Sequence, residues 1–192
     1  MLVRLFSAYM KGRRWVDRTI AECQGAALPA EQVMPCREVA WFPPDAVRRT
    51  RVAIVDHVPR PPIHTWNLEN PDPSAFFHPD GLTLDHLIFI HRGLACREPL
   101  LFHELVHVMQ WRLLGRHGFL LLYGLLLLRF GYDRHPLEAM AFDLQQRFEA
   151  SKQPFDARPV IARRVQETLK RYRRESWPQH IAALFVPRPQ RG

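Results

Sequence analysis

Apolar side chains spaced at helical intervals predict a helix over Leu2–Cys23 and a short second one over Glu31–Val39, ended by Pro43-Pro44. The texture changes at Arg51. The run RVAIVDHV is β-branched and roughly alternating until Pro59, Pro61 and Pro62 stop it, which is the pattern of a strand. From Pro59 to Gly81 the prolines, asparagines and aspartates suit an exposed loop beside a cleft. The run LTLDHLIFIH, Leu82–His91, begins by alternating and is rich in Ile, so it reads as a second strand.

Helical periodicity then takes over. Arg97–Leu114 carries apolar residues at Leu101, Leu105, Val108, Met109 and Leu113, with Pro99 in its first turn and Gly115 just past its end. Gly118–Phe130 follows as an almost wholly apolar helix closed by Gly131, and Pro136–Ser151 as a helix opened by proline. A last amphipathic helix is predicted over Val160–Arg174, its stripe formed by Ile161, Val165, Leu169 and Tyr172. Beyond it Pro178, Pro187 and Pro189 mark a tail, and no internal repeat is present.

These elements add up to an α+β protein, mainly helical, with a small β-sheet ahead of the helix at 97–114. A chain of 192 residues, 47% apolar and 24% charged, fits one domain with its own core. Within it, residues 1–50 form a helical lead-in, 51–150 the core, and 151–192 a basic helix and tail. The net charge of +8 belongs to that last segment, which holds ten Lys/Arg against three Asp/Glu, while residues 1–150 are nearly balanced. A basic helix of this kind is a solvated face or a contact for nucleic acid or anionic lipid.

The most apolar window, FLLLYGLLLL, is followed by Arg129 and falls short of the roughly 20 residues of a membrane span, so no transmembrane segment is expected. That leucine helix is either packed in the core or an apolar patch that docks on a membrane or a partner. The N-terminal stretch lacks the cleavage site of a signal peptide. Cys23, Cys36 and Cys96 are odd in number and far apart, which argues for a reducing compartment and a cytoplasmic location.

The chemistry lies in the helix at 97–114. His103-Glu104-Leu105-Val106-His107 is an H-E-x-x-H pattern, in which two imidazoles one turn apart share a helix face and can grip one metal ion. Glu104 lies about 100° around the axis from His103, where its carboxylate can reach a metal-held water without being a ligand. A catalytic zinc site takes three protein ligands and leaves one position open. The metzincin spacing is ruled out, because Gln110 and Leu113 stand where that pattern needs glycine and histidine. Downstream candidates for the third ligand are Glu138, then His135, then His117.

HELVHVMQ, followed by Gly131-Tyr132 and the Pro136-Leu137-Glu138-Ala139 helix, with an Ile-rich strand before it, resembles the gluzincin-type HExxH zinc metallopeptidases, in particular small bacterial HExxH peptidases of unknown function. The resemblance covers about Arg51–Ala150. It implies Zn²⁺ held by His103, His107 and Glu138, Glu104 as catalytic base, and a strand along the cleft at Leu82–His91. Such enzymes often carry an aspartate four residues after the ligand glutamate to orient a histidine; here Phe142 stands at that position and Asp143 follows it.

The expected function is therefore zinc-dependent hydrolysis of peptide bonds in a peptide or protein substrate. Tyr132 and His135, with Tyr123 and Arg134 behind them, are candidate donors to the oxyanion that develops during attack. The contrasting expectation is a non-catalytic zinc-containing interaction module, acting through the leucine helix and the basic C-terminal segment.

Overall fold

A computed structural model describes residues 2–34, 40–62, 80–95, 97–151 and 155–176. It is an α+β arrangement in which six helices surround a four-stranded sheet among the described residues. Helix α1 spans Leu2–Cys23, and strand β1 (Leu28–Pro29) leads into the short α2 (Ala30–Val33). The helix expected over Glu31–Val39 is thus a single turn where it is described, and residues 35–39 lie outside the described residues. Pro44, read as part of a terminator, instead opens helix α3 (Pro44–Arg49), because proline lacks only the N–H that a first turn leaves unpaired.

Strand β2 (Arg51–Val55) falls where the alternation placed it and pairs in parallel with β4 (Leu87–His91), from Arg51 opposite Leu87 to Val55 opposite His91. The single strand expected over Leu82–His91 is a hairpin. Strand β3 (Gly81–Leu84) turns back through Asp85 and His86, so that Leu84 pairs with Leu87. Asp85 sits at φ 59°, a left-handed conformation that aspartate tolerates better than most residues. The sheet order is β1-β2-β4-β3, which leaves β3 at an edge. In β4 the residues Leu87, Ile88, Phe89 and Ile90 are all buried, which explains its continuous apolar run. The loop predicted over Pro59–Gly81 falls at residues 63–79 outside the described residues, as does the tail from 177.

Helix α4 (Glu98–Phe130) joins the two predicted helices end to end, with no loop between them. Gly115 marks the break, at φ 68° and ψ 164°. By length and composition α4 is the one described helix long and apolar enough to cross a membrane. Its first half, however, buries His103, Glu104, His107 and Gln110 in the interior. Its leucine-rich second half is divided: Phe119, Leu122, Leu126 and Leu127 point into the core, Leu120, Leu121 and Leu125 are half-buried, and Leu128 is exposed. The packed reading of that helix therefore holds for its core-facing side, and Leu128 stands exposed on the other.

Helices α5 (Pro136–Ala150) and α6 (Arg158–Ser176) pack against α4. One hydrophobic core runs from Val16 to Tyr172, so the lead-in and the basic helix share it with the central segment. At its centre Trp41 meets Phe102 edge-on at 5.4 Å, and Phe102 stacks on Phe148 at 4.5 Å. These aromatic contacts fix α5 against the first half of α4, which places the two elements that carry the candidate ligands side by side.

Candidate metal centre

His103 and His107 project from one face of α4, and Glu138 projects toward them from the first turn of α5. Their donor atoms converge. His103 Nε2 and His107 Nε2 lie 3.1 Å apart, Glu138 Oε2 is 3.4 Å from His103 Nε2, and Glu138 Oε1 is 3.3 Å from His107 Nε2. All three side chains are buried, and together they form a group that could hold a metal ion, as the sequence pattern and its resemblance imply.

Two imidazoles and a carboxylate packed this closely perturb one another. Burial alone would push the Glu138 carboxyl up, yet the facing His107 charge and the bonds from His103 and His107 hold it well below the usual carboxylate range. For His107 burial opposes the charge, but the Glu138 carboxylate outweighs it and the imidazole is pushed up to about 9. In the metal-free site His107 and Glu138 are therefore an ion pair. A metal ion arriving here displaces a proton.

The surroundings brace some of these groups. His107 Nδ1 donates to Gln110 Oε1 at 2.9 Å, and Gln110 Nε2 in turn donates to the Leu137 carbonyl at 3.0 Å. Because the Gln110 amide nitrogen is engaged on α5, its carbonyl faces His107 Nδ1–H and orients the ring with Nε2 turned to the triad. The Tyr123 hydroxyl donates to Glu138 Oε1 at 2.8 Å and the Tyr132 hydroxyl to Oε2 at 3.0 Å, so each carboxylate oxygen has its own donor. Burial, with the Glu138 charge beside them, raises both phenols above their ordinary range and keeps them as donors. His103 is different: its Nδ1 is buried with no hydrogen-bond partner among the described residues, and its ring lies against Phe142 at 4.6 Å.

Glu104 is buried beside the triad but is not one of its members. The Thr83 hydroxyl, on β3, donates to Glu104 Oε2 at 2.6 Å. Gly81 leaves the carboxylate its room, since a Cβ built there would fall 2.6 Å from Glu104 Oε1. The Trp111 indole N–H donates to the Thr83 carbonyl at 3.2 Å and fastens the strand to α4. Edge strand β3 therefore holds the carboxylate on the side of the helix the motif assigns to it.

The remaining candidates stand elsewhere. His135 caps α5: its Nδ1 accepts from the Leu137 N–H at 3.2 Å and its Nε2 donates to the Tyr123 carbonyl at 3.1 Å. Both ring nitrogens are used, and burial depresses its pKa to about 4, so it is a neutral structural cap. His117 lies outside the group and bonds to the Tyr9 hydroxyl of α1, while Arg134 is exposed. Sequence reasoning missed Gln110, Thr83 and Gly81. Gln110 is three residues past His107, a spacing that puts it on the same helix face; for Thr83 and Gly81 no signal exists without knowing that β3 crosses Glu104. Compared with known proteins, the chain matches no family model, no curated protein and no solved structure.

Proposed function

We propose that this protein is a zinc-dependent peptidase of the gluzincin type, with a zincin-like arrangement of edge strand, HExxH helix and glutamate helix. The observation that carries the reading is the spacing of the three donors with Glu104 held beside them. The two imidazole nitrogens lie 3.1 Å apart, one Glu138 oxygen lies 3.4 Å from His103 and the other 3.3 Å from His107, and one ligand atom from each residue falls within 4.8 Å of the others, close enough for one ion to reach all three. Two histidines and one carboxylate are also the ligand set of hydrolytic zinc sites that keep a fourth position for water.

Zn²⁺ at such a site supplies a Lewis acid that lowers the pKa of a water toward about 7 and polarises a carbonyl. Glu104 does the proton work. Its carboxylate accepts a proton from the attacking water and returns it to the nitrogen of the leaving amine, and Thr83 and Gly81 keep it aimed during both steps. His135 is not suited to the developing oxyanion, since its two nitrogens are taken up by the backbone, and Tyr132 can donate to it only by leaving its bond to Glu138 Oε2. The edge of β3, which lies outermost in the sheet beside Glu104, suits an extended peptide that adds to it as a further strand.

The test pairs metal analysis with turnover of a mixed peptide library. Glu104→Gln keeps the volume of the side chain and leaves the three ligands intact, so zinc content should stay near one per chain while kcat falls at least about 100-fold. Equal cleavage by wild type and variant assigns the activity to a contaminant. Zinc in both with cleavage in neither makes the site that of a non-catalytic zinc module.

A further inference from the structure

We propose that the leucine-rich half of α4, with Phe6 of α1 near its start, is a docking face for an anionic lipid surface. Beyond the break at Gly115 the helix runs to Phe130 with one side in the core and the opposite side uncovered. Phe119, Leu122 and Leu126 are buried, whereas Leu121 and Leu125 are half-buried and Leu128 is 43% exposed. Those last three stand at i, i+4 and i+7, so they form one apolar stripe along the helix. Gly124 borders it, and a Cβ built there would meet nothing within 4 Å, so no described element covers the stripe at that point. At its start His117 bonds to the Tyr9 hydroxyl, and the Tyr9 ring lies 6.4 Å from that of Phe6, which is 66% exposed.

Charge decides what covers this stripe. At its far end the Arg129 guanidinium lies 5.1 Å from the centre of the Phe130 ring and 5.7 Å from that of Tyr172 on α6, and the Arg171 guanidinium is 5.6 Å from the same Tyr172 ring. Two cations thus share one aromatic ring beside the leucines, and both residues are exposed. Helix α6 belongs to the segment that concentrates the charge of the chain, with ten Lys/Arg against three Asp/Glu from residue 151 onward. Leucines flanked by guanidinium groups match the two layers of a membrane surface, acyl chains for the first and anionic headgroups for the second. A nucleic acid would meet the cations and leave the leucines in water, and a second copy of this chain carries the same excess of cations. The segment is too short to span. From Arg116 to Phe130 it is roughly 22 Å long against a hydrocarbon core of about 30 Å, and the helix on the other side of Gly115 buries His103, Glu104, His107 and Gln110 inside the protein. It therefore lies along the surface with its leucines turned into the lipid.

The experiment is co-sedimentation of the full-length protein with vesicles of phosphatidylcholine alone and of an equal mixture of phosphatidylcholine and phosphatidylglycerol, at low and high salt, with the thermal melt of each variant recorded alongside. Wild type should bind the mixed vesicles, bind phosphatidylcholine alone at least about 10-fold more weakly, and loosen as salt rises. Leu128→Gln, at a site already exposed, should weaken binding about 3–10-fold, and Leu121→Gln, Leu125→Gln and Leu128→Gln combined should weaken it further. Arg171→Gln should weaken it about 5-fold, the worth of one basic side chain at an anionic surface. Leu28→Gln, which removes an exposed leucine of β1, should leave it unchanged. A wild type that ignores the mixed vesicles overturns the proposal, and so does binding that Leu28→Gln weakens as much as Leu128→Gln or that the folded Leu128→Gln variant retains in full. Release that needs detergent would make the helix inserted and not docked. Self-association lost in Leu128→Gln, without vesicle binding, would assign the stripe to a second copy, and duplex DNA that displaces the vesicles and binds Leu128→Gln undiminished would assign the cations to nucleic acid; either result overturns the proposal. None of these outcomes depends on zinc.

Discussion

Among individual residues, His107 and Glu138 form a buried, coupled pair, and its pH dependence follows from the direction of each shift. His107 is pushed up from 6.5 to about 9, so its contribution to folding is fully present below about pH 6.5 and disappears as pH rises through about 9. Glu138 is held well below its ordinary 4.5, so its contribution is present above about pH 4.5 and disappears as pH falls through its depressed value. The metal-free protein should therefore be most stable between about pH 4.5 and 6.5 as far as this pair is concerned. Glu138→Gln removes the charge that holds the His107 imidazole up, and should cost about 1–3 kcal/mol near pH 6 while flattening the loss of stability from neutral pH to 9. Melts in chelator across that range check it, and a wild-type curve as flat as that of Glu138→Gln would contradict the ion pair. Zinc affinity has the opposite slope, rising toward pH 9 as the competing proton leaves His107.

At the scale of elements, the reach of α4 depends on Gly115. Its φ of 68° and ψ of 164° lie in a region open essentially to glycine alone, and a Cβ there would meet nothing within 4 Å, so the constraint is conformational and not steric. Gly115→Ala should destabilise the protein by about 1–3 kcal/mol in denaturant unfolding. It should leave zinc affinity within a factor of a few, because His103 and His107 sit two to three turns upstream on the segment fixed by Phe102 and Trp111, and Glu138 is held on α5, which packs against that segment through Phe148. The same helix shows what the sequence could reveal. Strong local signals, the 3.6-residue period of α4, α5 and α6 and the glycine and proline at their ends, placed those helices to within a few residues. What depends on distant partners was not legible. LTLDHLIFIH reads as one strand because only pairing with β2 and α4 tells that Asp85 turns the chain, and β1 has two residues and no pattern at all. The convergence of His103 and His107 was readable from their spacing and Glu138 stood first among the candidates to join them, whereas the contacts of Gln110, Tyr123 and Thr83 to His107, Glu138 and Glu104 arise from the packing of α5 and β3 on α4.

For the whole molecule, the triad ties together two elements that a single core already unites. His103 and His107 stand on α4 and Glu138 on α5, and the same core continues through β4 to α1 and α6. The three donors come within bonding distance of one ion only when those helices are packed, so an ion that binds the triad binds the folded chain in preference to the unfolded one. Such a ligand stabilises by RT ln(1 + [L]/Kd), about 4.1 kcal/mol at a free concentration of 1,000 times Kd. For a chain of this size each kcal/mol moves the melting temperature by roughly 2–4 °C, so saturating zinc should raise it by about 8–16 °C. The rise should be absent in His103→Ala and His107→Ala and should reverse on chelation. Because the core is continuous, α1 and α6 should melt together with the helices that carry the ligands. Differential scanning calorimetry, read beside hydrogen exchange of α1 and α6, tests both statements. A zinc-dependent shift confined to α4 and α5, with α1 melting separately and unmoved, would show that the lead-in folds as its own unit and that the core described here is divided.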